Sequence, residues 1–274
     1  MAYEFSGKIC VVTGSGSGIG RALALALARR GAVLALSDVN PETLAETVAM
    51  LGGPADKIFS ERLDVTEAAA IEAYAARLRE RIGPADYVFN VAGLSRIGRF
   101  RHTPLSSFEK VIEANFWGVV RMSKAFLPQL LETRGGLVNI ASIFGVIAVP
   151  GQAHYCASKF AVRGFSEALM SELEEDGVRV TCVMPGGVDT NIARAAAVDW
   201  LPPDARSHED VVRSFKKMAI TSAEEAAEQI LKGVSKGARF VPVGRDAKRV
   251  MLIQRLFPQS YIKIIRRLGG DVLD

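Results

Sequence analysis

Tyr155 and Lys159 stand four residues apart, thirteen residues after Ser142. On a helix, positions i and i+4 share a face, so a phenol and an ammonium so spaced can meet one ligand. A phenol is a poor base at neutral pH, but a neighbouring cation favours the phenolate and lowers its pKa. The pair therefore predicts a tyrosine that can give and take a proton. A solvated helix face carries the same pattern by chance, so the elements that position the two side chains decide between the readings.

Short β-branched runs alternate with longer helical patterns along the 274 residues. Strands are predicted at 9–13, 33–37, 57–63, 87–91, 136–141, 179–183 and 240–243, and helices at 18–30, 41–51, 67–81, 107–131, 152–175 and 222–236. Such alternation signals right-handed βαβ units. The predicted class is α/β, a doubly wound parallel sheet of about seven strands with helices on both faces and a single domain. The stretch 186–220 has no clear periodicity and holds Pro202 and Pro203. Long irregular insertions are often lids, so it reads as a substrate-covering loop.

Thr13-Gly14-Ser15-Gly16-Ser17-Gly18-Ile19-Gly20 joins the first strand to the first helix, in the spacing T-G-x-x-x-G-x-G. Glycine there permits a tight turn and the close approach of a pyrophosphate, and the helix N-terminus supplies amide donors; this is a nucleotide-binding turn of the Rossmann type. Asp38 closes the second strand eighteen residues past Gly20. A carboxylate at that place accepts hydrogen bonds from the adenosine ribose hydroxyls and repels a 2′-phosphate. Ser15, Ser17 and Val39 offer no positive charge to such a phosphate, so the expected cofactor is NAD in preference to NADP.

Composition bounds the alternatives. The net charge of +4 equals the surplus of seven basic over three acidic residues from Gly244 onward, so the preceding 243 residues are neutral overall. A broad nucleic-acid face is not expected. Cys10, Cys156 and Cys182 have no metal-ligand spacing and read as packing residues, so no metal is expected. No apolar run reaches the length of a membrane span and no signal-peptide layout opens the chain, which predicts a cytoplasmic protein.

Taken together, the motifs resemble those of the short-chain dehydrogenase/reductase family from about Lys8 to Val243. Beside the glycine turn, Asp64 and Val65 resemble the family's adenine-contacting segment. Asn90-Val91-Ala92-Gly93 resembles its Asn-Asn-Ala-Gly turn, departing at Val91. Pro185-Gly186-Gly187-Val188-Asp189-Thr190 resembles the segment that closes over the nicotinamide. The resemblance implies a catalytic set of Asn115, Ser142, Tyr155 and Lys159: Tyr155 as acid/base, Ser142 hydrogen-bonded to the same oxygen, Lys159 on the nicotinamide ribose and lowering the Tyr155 pKa, Asn115 organising a proton relay. It implies cofactor contacts from Gly14, Ser17, Gly18, Ile19, Gly20, Asp38, Asp64, Val65, Asn90, Ala92, Gly93, Tyr155, Lys159, Pro185, Gly186, Val188 and Thr190.

The expected activity is hydride transfer between NAD(H) and a secondary alcohol or ketone. A non-catalytic NAD-binding regulator and an NADP-dependent carbonyl reductase are the alternatives. Leu94, Ile97, Ile143, Phe144, Val146, Ile147, Val149 and Ile192 lie near the expected pocket and predict an apolar or medium-sized substrate, unless they only pack the loops together. His102 and His154 read as loop or pocket-wall residues. Residues 1–243 form the dinucleotide-binding catalytic domain in this reading, with 244–274 a basic amphipathic extension packed on or near the core. Weak association of that extension with an anionic membrane surface is the other possibility. The family's helices at 107–131 and 152–175 imply a homodimer or homotetramer.

Overall fold

A computed structural model describes residues 5–52, 57–201 and 207–269. In chain order the first half holds β1 (Ile9–Thr13), α1 (Gly18–Ala28), β2 (Val33–Asp38), α2 (Pro41–Leu51), β3 (Ile58–Arg62), α3 (Ala68–Ile82), β4 (Tyr87–Asn90), β5 (Arg96–Ile97), α4 (Leu105–Ile112) and α5 (Gly118–Thr133). The second half holds β6 (Gly136–Ile140), α6 (Ala153–Glu172), β7 (Arg179–Pro185), β8 (Ala197–Val198), α7 (His208–Met218), α8 (Ala223–Ser235), β9 (Phe240–Val243), α9 (Arg245–Leu256) and α10 (Tyr261–Gly269).

Seven strands form one parallel sheet in the order β3-β2-β1-β4-β6-β7-β9. The chain winds outward from β1 to β3, returns to β4 beside β1, and winds the other way, so a crevice opens between the carboxyl ends of β1 and β4. Alternate strand residues feed opposite faces. Val11, Ala35 and Val88 join Tyr74, Phe126 and Val162 from α3, α5 and α6. Cys10, Val12, Leu34 and Phe89 join Leu23, Leu27, Leu44 and Ile230 from α1, α2 and α8. Each large side chain so buried favours the fold by about 1.5–3 kcal/mol. Cys10, Cys156 and Cys182 are free and buried among the packed elements.

Two sequence expectations are corrected. The single helix expected at 107–131 is two α-helices separated by one π-helical turn, Glu113–Trp117. The stretch 186–220 is not wholly irregular: it contains β8 and α7, while Pro202 and Pro203 lie outside the described residues. Helix α7 carries an apolar stripe of Val211, Phe215 and Met218, half-buried rather than sunk in the core, with Arg213, Lys216 and Lys217 on the exposed side. Its local signals are the Ser207 cap on the Asp210 amide, acids in the first turn and Lys216 and Lys217 in the last, which suit the helix dipole.

Past β9 the chain turns back over the sheet. Ala247 is buried, and Val250, Met251, Tyr261 and Ile265 pack against the core. The Ala148 amide donates to the Tyr261 hydroxyl at 3.2 Å. No helix among the described residues is long and apolar enough to cross a membrane.

Candidate active site

The glycine turn is held from three sides. The Thr13 hydroxyl accepts from the amides of Val91 and Ala92 at 3.0 and 3.1 Å, tying the end of β1 to the turn after β4. A Cβ on Gly14 would stand 2.8 Å from the Ala92 backbone, and one on Gly20 would stand 2.0 Å from the Gly14 carbonyl oxygen. These positions exclude any side chain. Asp38 accepts from the Gly16 amide at 2.8 Å and from the Asn40 amide at 3.0 Å, so it anchors the loop as well as closing β2.

Helix α1 begins at Ser17, whose side chain makes no capping bond, and its first turn holds no acid. By contrast α2, α7 and α8 are capped by Asn40, Ser207 and Ser222. The amides and positive dipole end at Gly18 and Ile19 thus suit the phosphates of a dinucleotide, as does the cradle that a Cβ would fill. Thr190 lies over this turn, 3.2 Å from where a Gly18 Cβ would be. At the end of β3 Asp64 binds the Thr66 amide and hydroxyl, at 2.9 and 2.7 Å, and Val65 packs against Gly118. The Asn90 side chain is turned into the sheet, donating to Ser123 and to Asn139 at 3.3 and 2.9 Å, so it holds the turn rather than facing the crevice.

Asn115, Ser142, Tyr155 and Lys159 converge beside Gly93. The π turn places the Asn115 amide against Leu94, from whose N–H it accepts at 2.8 Å and to whose carbonyl it donates at 2.9 Å. It also donates to Ser158 at 3.0 Å, and the Ser158 hydroxyl donates to the Tyr155 carbonyl at 2.8 Å. Every polar atom of this buried amide is therefore used. A Gly93 Cβ would meet Asn115 Oδ1 at 3.0 Å and Lys159 Nζ at 3.6 Å. Tyr155 and Lys159 share a face of α6, with Nζ 5.6 Å from the centre of the phenol ring. Ser142 caps the short turn after β6, its hydroxyl accepting from the Phe144 amide at 3.1 Å, and lies close enough to the Tyr155 phenol to favour the phenolate.

The electrostatics of the pair differ from the sequence expectation. Burial pushes the Tyr155 phenol up to about 12, with Ser142 pulling the other way. The Lys159 ammonium donates to the Ile140 carbonyl at 2.9 Å rather than to the phenol. Lys159 is itself held down to about 8 by desolvation. A buried lysine whose folded pKa lies below its ordinary value destabilises the fold at neutral pH, and the penalty is relieved as pH rises from about 8 through the ordinary value. Lys159→Met is therefore expected to raise folding stability at pH 7 by on the order of 2–3 kcal/mol. The gain should shrink towards alkaline pH. Denaturant melts at several pH values read this directly, and an unchanged or lowered stability at pH 7 would contradict it.

Comparison with known proteins follows this geometry. Residues 8–199 match the family model described as short chain dehydrogenase. The chain is a short-chain dehydrogenase/reductase. It is 43% identical to the oxidoreductase SadH of Mycobacterium tuberculosis over 266 residues, covering 96% of this chain and 95% of SadH. A short-chain dehydrogenase/reductase from Burkholderia phymatum in complex with NAD superposes with a TM-score of 0.83 at 26% identity, over 99% of this chain and 98% of that one. One from Burkholderia cenocepacia in complex with NADP gives 0.78 at 26% identity, over 98% and 100%. The dehydrogenase is thus an oxidoreductase of a family that uses NAD or NADP.

The apolar residues on the substrate side of this dehydrogenase fall into two groups. Ile143, Val146 and Ile147 are buried and pack the loop onto the core. Leu94, Phe144 and Ile192 remain partly exposed, and the Phe144 ring stands edge-on to Tyr155 at 6.2 Å. His154 is buried with Nδ1 accepting from the Tyr155 amide at 2.8 Å, while His102 stacks on Trp200 at 5.5 Å. Residues missed in the sequence close the far end. Strands β5 and β8 pair, and Arg96 makes two hydrogen bonds to Asp199, at 3.1 and 2.6 Å, latching the 186–220 segment to the loop after β4. Ser107 adds a third bond to Asp199, whose carboxyl is held below its usual range chiefly by Arg96.

Proposed function

We propose that the chain is an NAD-dependent alcohol dehydrogenase or ketone reductase acting on an apolar or medium-sized secondary alcohol or ketone. The observation that carries this reading is the meeting of Ser142, Tyr155 and Lys159 at the mouth of the crevice, beside a glycine turn that no larger residue fits. The bound nicotinamide supplies hydride acceptance or donation at C4. Tyr155 takes the hydroxyl proton as the alcohol is oxidised and returns it as the ketone is reduced. Ser142 donates to the reacting oxygen as charge builds there. Lys159, which meets no carboxylate among the described residues, would bind the nicotinamide ribose and, so engaged, favour the phenolate. Asn115 fixes the backbone at Leu94 and reaches α6 through Ser158, a path for proton exchange.

On the nucleotide side, Gly14, Ser17, Gly18, Ile19 and Gly20 would cradle the pyrophosphate and Asp38 the adenosine ribose. Asp64 and Val65 would border the adenine, the backbone of Asn90 with Ala92 and Gly93 the middle of the cofactor, and Pro185, Gly186, Val188 and Thr190 would close over the nicotinamide. The second reading, an NADP-dependent carbonyl reductase, draws on two guanidiniums near Asp38. Arg21 reaches the Gly16 carbonyl and Glu46, and Arg62 donates to the Val39 carbonyl at 3.2 Å. We favour NAD because Arg21 is already paired with Glu46, whereas the Asp38 carboxylate meets backbone amides and, among the described residues, no cation that would offset its repulsion of a 2′-phosphate. Exposed Trp117, Leu131 and Phe160 on α5, its preceding turn and α6 support a homodimer or homotetramer through those helices. Turnover of a panel of secondary alcohols with NAD, followed by absorbance of the reduced cofactor, tests the reading. Reaction only with highly charged alcohols, or none with any, would overturn it.

A further inference from the structure

The C-terminal extension reaches the segment expected to close over the nicotinamide through one side chain. Asp246, in the first turn of α9, accepts from the Gly187 amide at 2.6 Å. The carboxylate fills the space beside two glycines: a Cβ on Gly186 would lie 2.1 Å from Oδ2, and one on Gly244 2.4 Å from Oδ1. Neither position admits a side chain while Asp246 is seated. Its Oδ1 is buried without a hydrogen-bond partner among the described residues, a cost that a purely space-filling residue would not carry.

The neighbouring backbone shows what this contact sets. The Gly186 amide donates to the Val243 carbonyl at 3.0 Å. The Thr221 amide donates to the Gly187 carbonyl at 3.2 Å, and the Asp189 amide to the Thr221 carbonyl at 2.9 Å. These last two make a parallel bridge between Val188 and Thr221, so the amide and carbonyl of Val188 itself point to the opposite side. Asp246 holds the Gly186–Gly187 peptide, one unit before the peptide that carries the Val188 amide, and so constrains which way that donor and acceptor face.

We propose that Asp246 is a positioning residue that holds Pro185–Thr190 in the orientation required to bind the nicotinamide end of the cofactor. The inference rests on the NAD reading above. The extension is then part of the active-site frame rather than an appendage, in keeping with the Tyr261 contact to Ala148 in the loop after Ser142.

Calorimetric titration of wild type, Asp246→Ala and Asp246→Asn with NAD and with AMP separates this role from general stability, since AMP occupies only the adenosine end near Asp38. Asp246→Ala should weaken NAD by about ten- to a hundredfold, the loss expected for a hydrogen bond to a charged acceptor. AMP affinity should stay within about twofold. Asp246→Asn, whose amide oxygen still accepts from Gly187, should bind NAD within about threefold of wild type. Equal weakening of NAD and AMP, unchanged NAD affinity in Asp246→Ala, or no recovery in Asp246→Asn would each overturn the proposal. If Asp246→Ala does not fold, Gly186→Ala, which displaces the carboxylate from the other side, must give the same split. Wild-type protein that binds AMP but not NAD would instead overturn the NAD reading, and the inference with it.

Discussion

Tyr155→Phe is expected to lower kcat/KM for alcohol oxidation by about 10³-fold, within the range that a positioned acid–base group contributes. The substitution removes one oxygen and leaves the ring in place, edge-on to Phe144 and beneath Lys159. The fold and cofactor affinity should therefore survive, with the melting temperature within about 2 °C of wild type. Steady-state kinetics, a thermal melt and a cofactor titration on the same preparation separate the possibilities. Retained turnover would remove Tyr155 from the chemistry. Lost NAD binding with an intact fold would make the phenol a cofactor ligand instead.

The same side chain dictates a pH dependence with opposite signs in the two directions. Burial, against the pull of Ser142, pushes the phenol up to about 12, so the phenolate that accepts a proton from an alcohol is scarce at neutral pH. Oxidation should accelerate as pH rises. Reduction uses the protonated phenol and should stay level until pH approaches the phenol pKa, then fall. Any lowering of that pKa by Lys159 after it leaves the Ile140 carbonyl moves both profiles to lower pH without reversing either sign.

The second large effect concerns the adenosine end. Asp38→Asn keeps an oxygen that can accept from the Gly16 amide but removes the charge that repels a 2′-phosphate. The ratio of kcat/KM for NADP to that for NAD should rise by about 10²-fold. That figure corresponds to roughly 3 kcal/mol, at the upper end for one hydrogen bond to a charged acceptor, with the lost repulsion adding to it. Arg62 and Arg21 stand close enough to this corner to favour the added phosphate. Asp38→Ala also removes the loop anchor and should weaken both cofactors. An unchanged ratio in Asp38→Asn would show that Asp38 serves the Gly16 loop alone.

The parallel sheet and the glycine turn were legible because both are written in local pattern: short continuous β-branched and apolar runs, helical spacing between them, and a glycine-rich turn from the first strand into the first helix. Tyr155 and Lys159 were legible for the same reason, being one helical turn apart. What stayed hidden depends on partners far along the chain. Arg96 and Asp199 are 103 residues apart, and Gly187 and Asp246 are 59 apart, with no periodicity linking either pair. The π turn at Asn115 is a local event, but it is fixed by the amide clamping Leu94 and Ser158, which propensity does not report. Spacing gives the nearness of Lys159 to Tyr155 and not the desolvation that pushes the phenol up. For Ile143, Val146 and Ile147 spacing left wall and loop packing equally open, and only their burial shows them packed on the core.

The central claim is that this site moves a hydride between carbon and a nicotinamide while Tyr155 moves a proton. Incubating the protein with a medium-sized cyclic ketone and NADH deuterated at the transferred C4 position, then analysing the product by mass spectrometry and NMR, tests it most directly. One deuterium on the carbinol carbon, formed by wild type and lost with Tyr155→Phe, is the predicted result. Alcohol without deuterium at that carbon, or equal labelling by Tyr155→Phe, would contradict it.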